Sequence, residues 1–161
     1  MPNASPSQPA TEALDTRGCT VLVVDDNDQN RELLVAYLED LACEIREASD
    51  GFQALDAIKA KRPDIVLMDV MMPRMSGYQA CKHIKAGANT RGVPVIMVTA
   101  LNEVGDIERA MDSGADDFLT KPVNRVELLA RVRSLMRVSV LQRRLDQAVS
   151  EVKRLSGDPG T

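Results

Sequence analysis

Five side chains of this 161-residue chain follow directly on short runs that read as strands: Asp25 and Asp26 after residues 21–24, Asp69 after 65–68, Thr99 after 93–98 and Lys121 after 117–120. Three carboxylates brought together repel one another, which raises their proton affinities and costs stability unless a cation sits among them. All-oxygen ligands with positions to spare suit Mg²⁺, which keeps several waters and takes one or two carboxylates plus a phosphate. Mn²⁺ is a substitute of similar ligand preference. A lysine ammonium and a threonine hydroxyl facing the metal can hold the remaining oxygens of a phosphoryl group. A carboxylate can itself be the nucleophile, giving an aspartyl phosphate. Together these parts describe Mg²⁺-dependent phosphorylation of an aspartate.

The five positions converge only if the runs before them are neighbouring strands. From Thr20 onward strand-like and helix-like patterns alternate. Residues 21–24 and 65–68 are continuous apolar runs, the pattern of strands buried on both faces of a parallel sheet. Residues 43–48, 93–98 and 117–120 complete five strands. Asn27 or Asp28 can cap a first helix carrying Leu33, Leu34, Tyr37, Leu38 and Leu41 at helical spacing. Ser49-Asp50-Gly51 opens a second helix with Phe52, Leu55 and Ile58, and a third bears Tyr78, Cys81 and Ile84. A fourth carries Val104, Ile107 and Met111, Gly114 closing it in the left-handed conformation, and a long fifth begins near Asn124. The alternation predicts an α/β fold, a flavodoxin-like doubly wound five-stranded parallel sheet of order 2-1-3-4-5 with a C-terminally extended fifth helix. Ligands of such sheets sit beyond the carboxyl ends of the strands, at the switch point between strands 1 and 3. That rule selects Asp25, Asp26 and Asp69.

Composition removes several other classes of function. The chain is 44% apolar and 27% charged, with 20 basic against 24 acidic side chains and a net charge of −4. An acidic excess argues against a chain-wide nucleic-acid binder. No apolar run reaches the ~18–20 residues that span a bilayer. With two Phe, two Tyr and no Trp the core must be aliphatic, and a base-stacking platform has almost nothing to stack on. Cys19, Cys43 and Cys81 are odd in number and lack a CxxC pattern, as expected of small thiols in a reducing, cytoplasmic setting. Residues 1–19 have neither a basic start nor an apolar stretch, which excludes a signal peptide and suggests a disordered lead-in. Lone His83 lies on the third helix, away from every strand end.

The segments Val-Val-Asp25-Asp26, Leu-Met-Asp69-Val-Met-Met-Pro73, Val-Thr99-Ala100 and Thr-Lys121-Pro122 resemble the signature of two-component response-regulator receiver domains, over about residues 20–136. The resemblance implies that Asp69 accepts a phosphoryl group from a phosphohistidine of a sensor histidine kinase or phosphotransfer protein, or from a small phosphodonor. It implies Mg²⁺ held by Asp26, Asp69 and the backbone carbonyl of Met71, with Asp25 acting largely through a metal-bound water. Lys121 pairs with Asp69 or the phosphoryl group, and Thr99 donates its hydroxyl to a phosphoryl oxygen. Phe118 matches the switch aromatic that turns inward with Thr99, biasing the face of the fourth helix, fifth strand and fifth helix. The Lys121–Pro122 peptide is commonly cis in this family. Met71 and Leu101, each two residues past a key position, flank the acyl phosphate; both are apolar and cannot orient water, so a comparatively long-lived phosphoprotein is expected. Two rivals remain at this point. One is a small haloacid-dehalogenase-type phosphohydrolase, although that family places its DxD after the first strand; the other is a phosphorylation-independent dimeric scaffold.

A receiver's last helix would finish near Met136, yet helical pattern continues to about Leu155 before Ser156-Gly157. Leu128, Val132 and Leu135 form one series, read as the face docked on the sheet. Val138, Leu141, Leu145, Ala148, Val152 and Leu155 form a second, phase-shifted by one residue and read, with Val149 beside it, as a dimer seam. The chain thus divides into lead-in 1–19, receiver 20–136, coiled-coil-like extension 137–155 and tail 156–161. Charge divides with it: residues 1–122 carry twelve basic and twenty acidic side chains, residues 123–161 eight and four. The extension resembles the signalling helix that leads receivers into output domains such as cyclic-nucleotide enzymes. No room for a helix-turn-helix reader follows Leu155, so direct DNA recognition is not expected; the chain reads as a stand-alone receiver or one cut past its connector.

Overall fold

The computed structural model describes residues 16–100 and 104–157. Strands and helices alternate as β1 (Thr20–Val24), α1 (Asp28–Leu38), β2 (Glu44–Ala48), α2 (Gly51–Ala60), β3 (Ile65–Asp69), α3 (Gly77–Ala86), β4 (Val95–Thr99), α4 (Val104–Asp112), β5 (Asp117–Thr120) and α5 (Arg125–Leu155). All neighbouring strands pair in parallel, in the order β2-β1-β3-β4-β5. This is the doubly wound, flavodoxin-like sheet expected, with its long fifth helix.

Residues of the central strands alternate between two cores, because successive side chains of a strand point to opposite faces. Leu22, Val24, Val66, Met68, Val95 and Met97 face the core shared with α2 and α3. Val21, Val23, Ile65, Leu67, Ile96 and Leu119 face the core beneath α1 and α5. Short polar caps start the helices: the side chains of Asn27, Asp50, Ser76 and Asn124 accept backbone N–H bonds at α1, α2, α3 and α5. Gly114, at φ 86°, turns the chain from α4 toward β5.

Several inward positions differ from those the spacing suggested. Leu33 is 47% exposed, since Leu34 and Leu38 take the inner face of α1. Phe52 also lies outside, where the Arg74 guanidinium stands 5.9 Å from its ring centroid. On α4 Ala110 is buried and Met111 is 68% exposed. Residues 1–15 of the expected lead-in lie outside the described residues, but Thr16 and Cys19 are buried. Their order has a backbone cause: the Cys19 carbonyl accepts from Glu44 N (2.9 Å), so the ladder begins before Thr20.

The docked face of α5 is Leu128, Leu129, Val132, Met136 and Val140, with Leu135 only partly covered. Residues 128, 129, 132, 136 and 140 cluster on one side of the helix, and Leu135 falls at the edge of that face. Docking therefore runs past Met136. Ser139 Oγ donates to Asp64 Oδ1 (2.7 Å), and Arg143 pairs with the same carboxylate.

Candidate functional site

The carboxyl ends of β1, β3, β4 and β5 meet in one crevice. Asp25 continues the β1 ladder through its N–H to the Ala48 carbonyl (3.2 Å) and is buried. Its Oδ1 accepts from Asn27 N (2.9 Å), which tightens the turn into α1. Its Oδ2 is buried and has no hydrogen-bond partner; Lys121 Nζ is 3.8 Å away. Asp26, next in the turn, is exposed. Asp69 ends β3, buried, and its Oδ1 accepts from Lys121 Nζ at 3.0 Å. Thr99 ends β4 and is buried, its carbonyl accepting from Lys121 N (2.7 Å). The Lys121–Pro122 peptide is cis.

Asp25, Asp26 and Asp69 each offer a carboxylate oxygen within 4.8 Å of the other two. Burial pushes the Asp69 carboxyl above its ordinary range, although the Lys121 hydrogen bond pulls it back; Asp25 adds to the rise. Burial likewise raises Asp25, opposed by the Asn27 N–H and the Lys121 charge. A single lysine therefore does not neutralise the cluster. Three hard oxygens, one of them orphaned and buried, fit a small divalent cation of the Mg²⁺ type.

Two residues that hold this geometry were not singled out in the sequence. Gly77 opens α3 with its N–H on the Val70 carbonyl (2.9 Å), and a Cβ there would lie 2.1 Å from the Asp69 carbonyl oxygen. Only glycine lets α3 start so close beneath the acceptor aspartate. Arg31 donates to the Asp25 carbonyl (2.8 Å), Asp28 (2.7 Å) and Glu47 (3.0 Å), tying the acidic turn to β2. A glycine at a loop–helix junction hinted at the first; nothing local in the sequence hinted at the second.

With that geometry in view, the family profile of the response regulator receiver domain matches residues 21–133. The chain belongs to that family. Among curated proteins it is 44% identical over 135 residues to the response regulator PleD of Caulobacter vibrioides, covering 84% of this chain but 30% of that protein. The chain thus spans less than a third of that relative's length. Among solved structures, a response regulator from Chloroflexus aurantiacus superposes with a TM-score of 0.70 at 34% identity, over 73% of this chain and 96% of that one. The receiver domain of the sensor histidine kinase PA1611 from Pseudomonas aeruginosa, solved with a magnesium ion coordinated in its active site cleft, gives 0.66 at 37% identity, over 74% and 95%. This receiver domain is thus a module of two-component signal transduction rather than a conventional enzyme. The phosphohydrolase and scaffold alternatives find no support, and Asp69 follows the third strand, not the first.

Other expected residues stand on β5, in the loop after Asp69 and along α5. Phe118 on β5 is half-buried against the core shared with α2 and α3. The Met71 side chain is 67% exposed in the loop after Asp69. Leu101 lies outside the described residues. Val138, Leu141, Leu145, Val149, Val152 and Leu155 are all exposed along α5. Cys19, Cys43 and Cys81 form no disulfide among the described residues, and burial pushes the Cys43 and Cys81 thiols up. His83 is exposed on α3.

Proposed function

We propose that Asp69 is the phosphoacceptor of a two-component pathway, charged by a phosphohistidine of a sensor histidine kinase or phosphotransfer protein. The observation that carries this reading is the Lys121 ammonium hydrogen-bonded to Asp69 Oδ1 beside the orphaned Asp25 Oδ2. An Asp69 carboxylate oxygen attacks phosphorus, the N–P bond to the donor imidazole breaks, and the leaving nitrogen takes a proton. Such transfers are governed by positioning and charge stabilisation. Lys121 holds the acceptor oxygen in line and then pairs with the new phosphoryl charge. Thr99, from the end of β4, gives its hydroxyl to a phosphoryl oxygen. Asp26, Asp69 and the Met71 carbonyl would hold Mg²⁺ (or Mn²⁺) directly and Asp25 through water. When bound, the ion supplies charge neutralisation at the phosphoryl oxygens.

A cavity of about 440 Å³ beside the crevice, between Leu33, Tyr37 and Pro122, supports docking of a donor protein there. Leu33, outside the core, forms part of its apolar wall. The switch reading has Thr99 and Phe118 move inward on phosphorylation and bias the face of α4, β5 and α5. Light anchoring of α4, which buries Ala110 and ties to α3 through the Tyr78 hydroxyl on the Asp106 carbonyl (3.2 Å), supports that mobility. Output then passes to an attached domain or a protein partner. A cytoplasmic setting accords with a described chain in which no helix is long and apolar enough to cross a membrane.

Incubation with a small acyl phosphate and Mg²⁺ tests the reading. One acid-stable, base-labile phosphoryl group should appear on the chain and be absent from Asp69→Asn. Continuous turnover of phosphodonor without accumulation, or labelling unaffected by Asp69→Asn, would overturn it.

A further inference from the structure

α5 runs for 31 residues, a rod of about 46 Å. Its first half packs on the body, with Val140 its last buried residue; residues 141–157 are all exposed, and from them Arg143 reaches back to Asp64, Gly18 and Cys19. A helical stretch of that length is marginal in water without a covered face. The exposed part nevertheless carries a continuous apolar stripe. Val138 is 62% exposed, Leu141 55%, Leu145 57%, Val152 65% and Leu155 75%, with Ala148 completing the alternating three- and four-residue spacing. Val138 lies two residues from Met136 and from Val140, roughly 160–200° around the helix from the docked face. The stripe therefore begins on the back of the docked segment and continues without a break onto the free rod.

We infer that this stripe is the seam of a parallel two-stranded coiled coil formed with a second copy of the chain. Three observations choose that occupant. The stripe repeats every seven residues, the period of a left-handed two-helix supercoil, and does not fold back onto its own domain. Its first position holds Val138, Leu145 and Val152, and its second Leu141, Ala148 and Leu155; β-branched residues at the first and leucine at the second favour two parallel strands. The flanks are compatible too, since in a parallel pair Arg137 faces Gln142 and Arg144 faces Val149, so no like charges meet. The Ser139 and Arg143 bonds to Asp64 hold the first turns of the seam against the body, so both receivers lie at the same end of the dimer. This pairing does not depend on phosphorylation of Asp69.

Sedimentation of the full, unphosphorylated chain over a dilution series tests the inference. A reversible monomer–dimer equilibrium is expected. Leu145→Asp, at an exposed site that leaves the core untouched, should weaken it about a hundredfold, and Ala148→Leu should tighten it several-fold. For orientation, Leu155→Cys should give a covalent dimer on mild oxidation, lost when Leu145→Asp is added, because only a parallel pair places the two copies of this position together. A monomer at every concentration, a dimer indifferent to Leu145→Asp, or a persistent dimer that Leu155→Cys does not cross-link would each overturn the inference.

Discussion

Arg143, on the part of α5 beyond Met136, pairs with Asp64, the residue that leads into β3. Asp64 is buried and also accepts from Ser139 Oγ and Thr20 N, each at 2.7 Å. β3 carries Asp69 at its other end, five residues or about 16 Å away. One buried strand thus joins the phosphoacceptor to the point where the long helix is fastened.

Removing the fastening should loosen the helix before it unfolds the domain. Arg143→Ala is expected to cost about 1 kcal/mol, because the guanidinium is partly solvated and Ser139 and Thr20 still satisfy the carboxylate. Asp64→Ala should cost more, about 2–3 kcal/mol, since it strands the buried Thr20 N–H. Denaturant titration measures both, and amide exchange should quicken over residues 139–150 in each. Unchanged exchange would mean the helix is held by Val140 and Met136 alone.

Metal should act on stability with a definite sign. Asp25 and Asp69 are raised by burial, so the folded chain holds their protons more tightly than the unfolded chain. Their contribution is fully present below the ordinary carboxylate range and is lost as pH rises through the raised values. At neutral pH without metal, Asp25→Asn should therefore be more stable than the parent. Mg²⁺ at a hundredfold excess over its dissociation constant should stabilise the parent by about 2.7 kcal/mol and Asp25→Asn far less. Thermal melts with Mg²⁺ and with chelator decide it; equal shifts in both proteins would remove Asp25 from the metal site.

Gly77→Ala should damage both fold and chemistry. The new methyl carbon would press on the Asp69 carbonyl, at a cost of about 2–4 kcal/mol. Any folded fraction should phosphorylate at least about tenfold more slowly, because Asp69 is displaced. Single-turnover phosphorylation on protein shown folded by circular dichroism separates the two effects.

Arg31 is expected to act on metal affinity through the turn it braces. Arg31→Ala should weaken Mg²⁺ about tenfold, the usual scale for groups that orient ligands. Arg31→Lys should not restore it, since one ammonium cannot reproduce a fork that reaches Asp25, Asp28 and Glu47 together. Calorimetric Mg²⁺ titration reads this directly, and full recovery in the lysine variant would reduce the role to charge.

Phosphate on Asp69 should be lost slowly. Met71 offers no group to orient water, and its side chain stands in solvent beside the acceptor loop. Met71→Asn should speed hydrolysis about tenfold. Loss within seconds in Mg²⁺ buffer from the parent, with no change in the variant, would refute the idea.

Local pattern sufficed for much of this protein. The apolar runs of β1, β3 and β4 and the polar endings of the strands named the side chains of the crevice, because a strand buried on both faces must be continuously apolar and its end is where polarity can return. The order 2-1-3-4-5 came from the rule for crossovers in five-stranded parallel sheets. Caps such as Asn27, Asp50 and Asn124 were equally readable, being bonds to backbone three residues away. Leu33, Phe52 and Met111 were misplaced, since helical spacing allows two adjacent residues to compete for one inner face and only the neighbours decide.

What tertiary structure alone decided are the relationships across distance. The empty space at Gly77 exists because the Asp69 carbonyl occupies it, and Arg31 matters because β2 delivers Glu47 to its fork. The reach of the docked helix to Arg143 follows from a carboxylate 79 residues earlier. Sequence determines which groups a local segment can present, through periodicity and backbone preference. Which of them meet, and how far each is stripped of water, is set only when the sheet brings remote segments together.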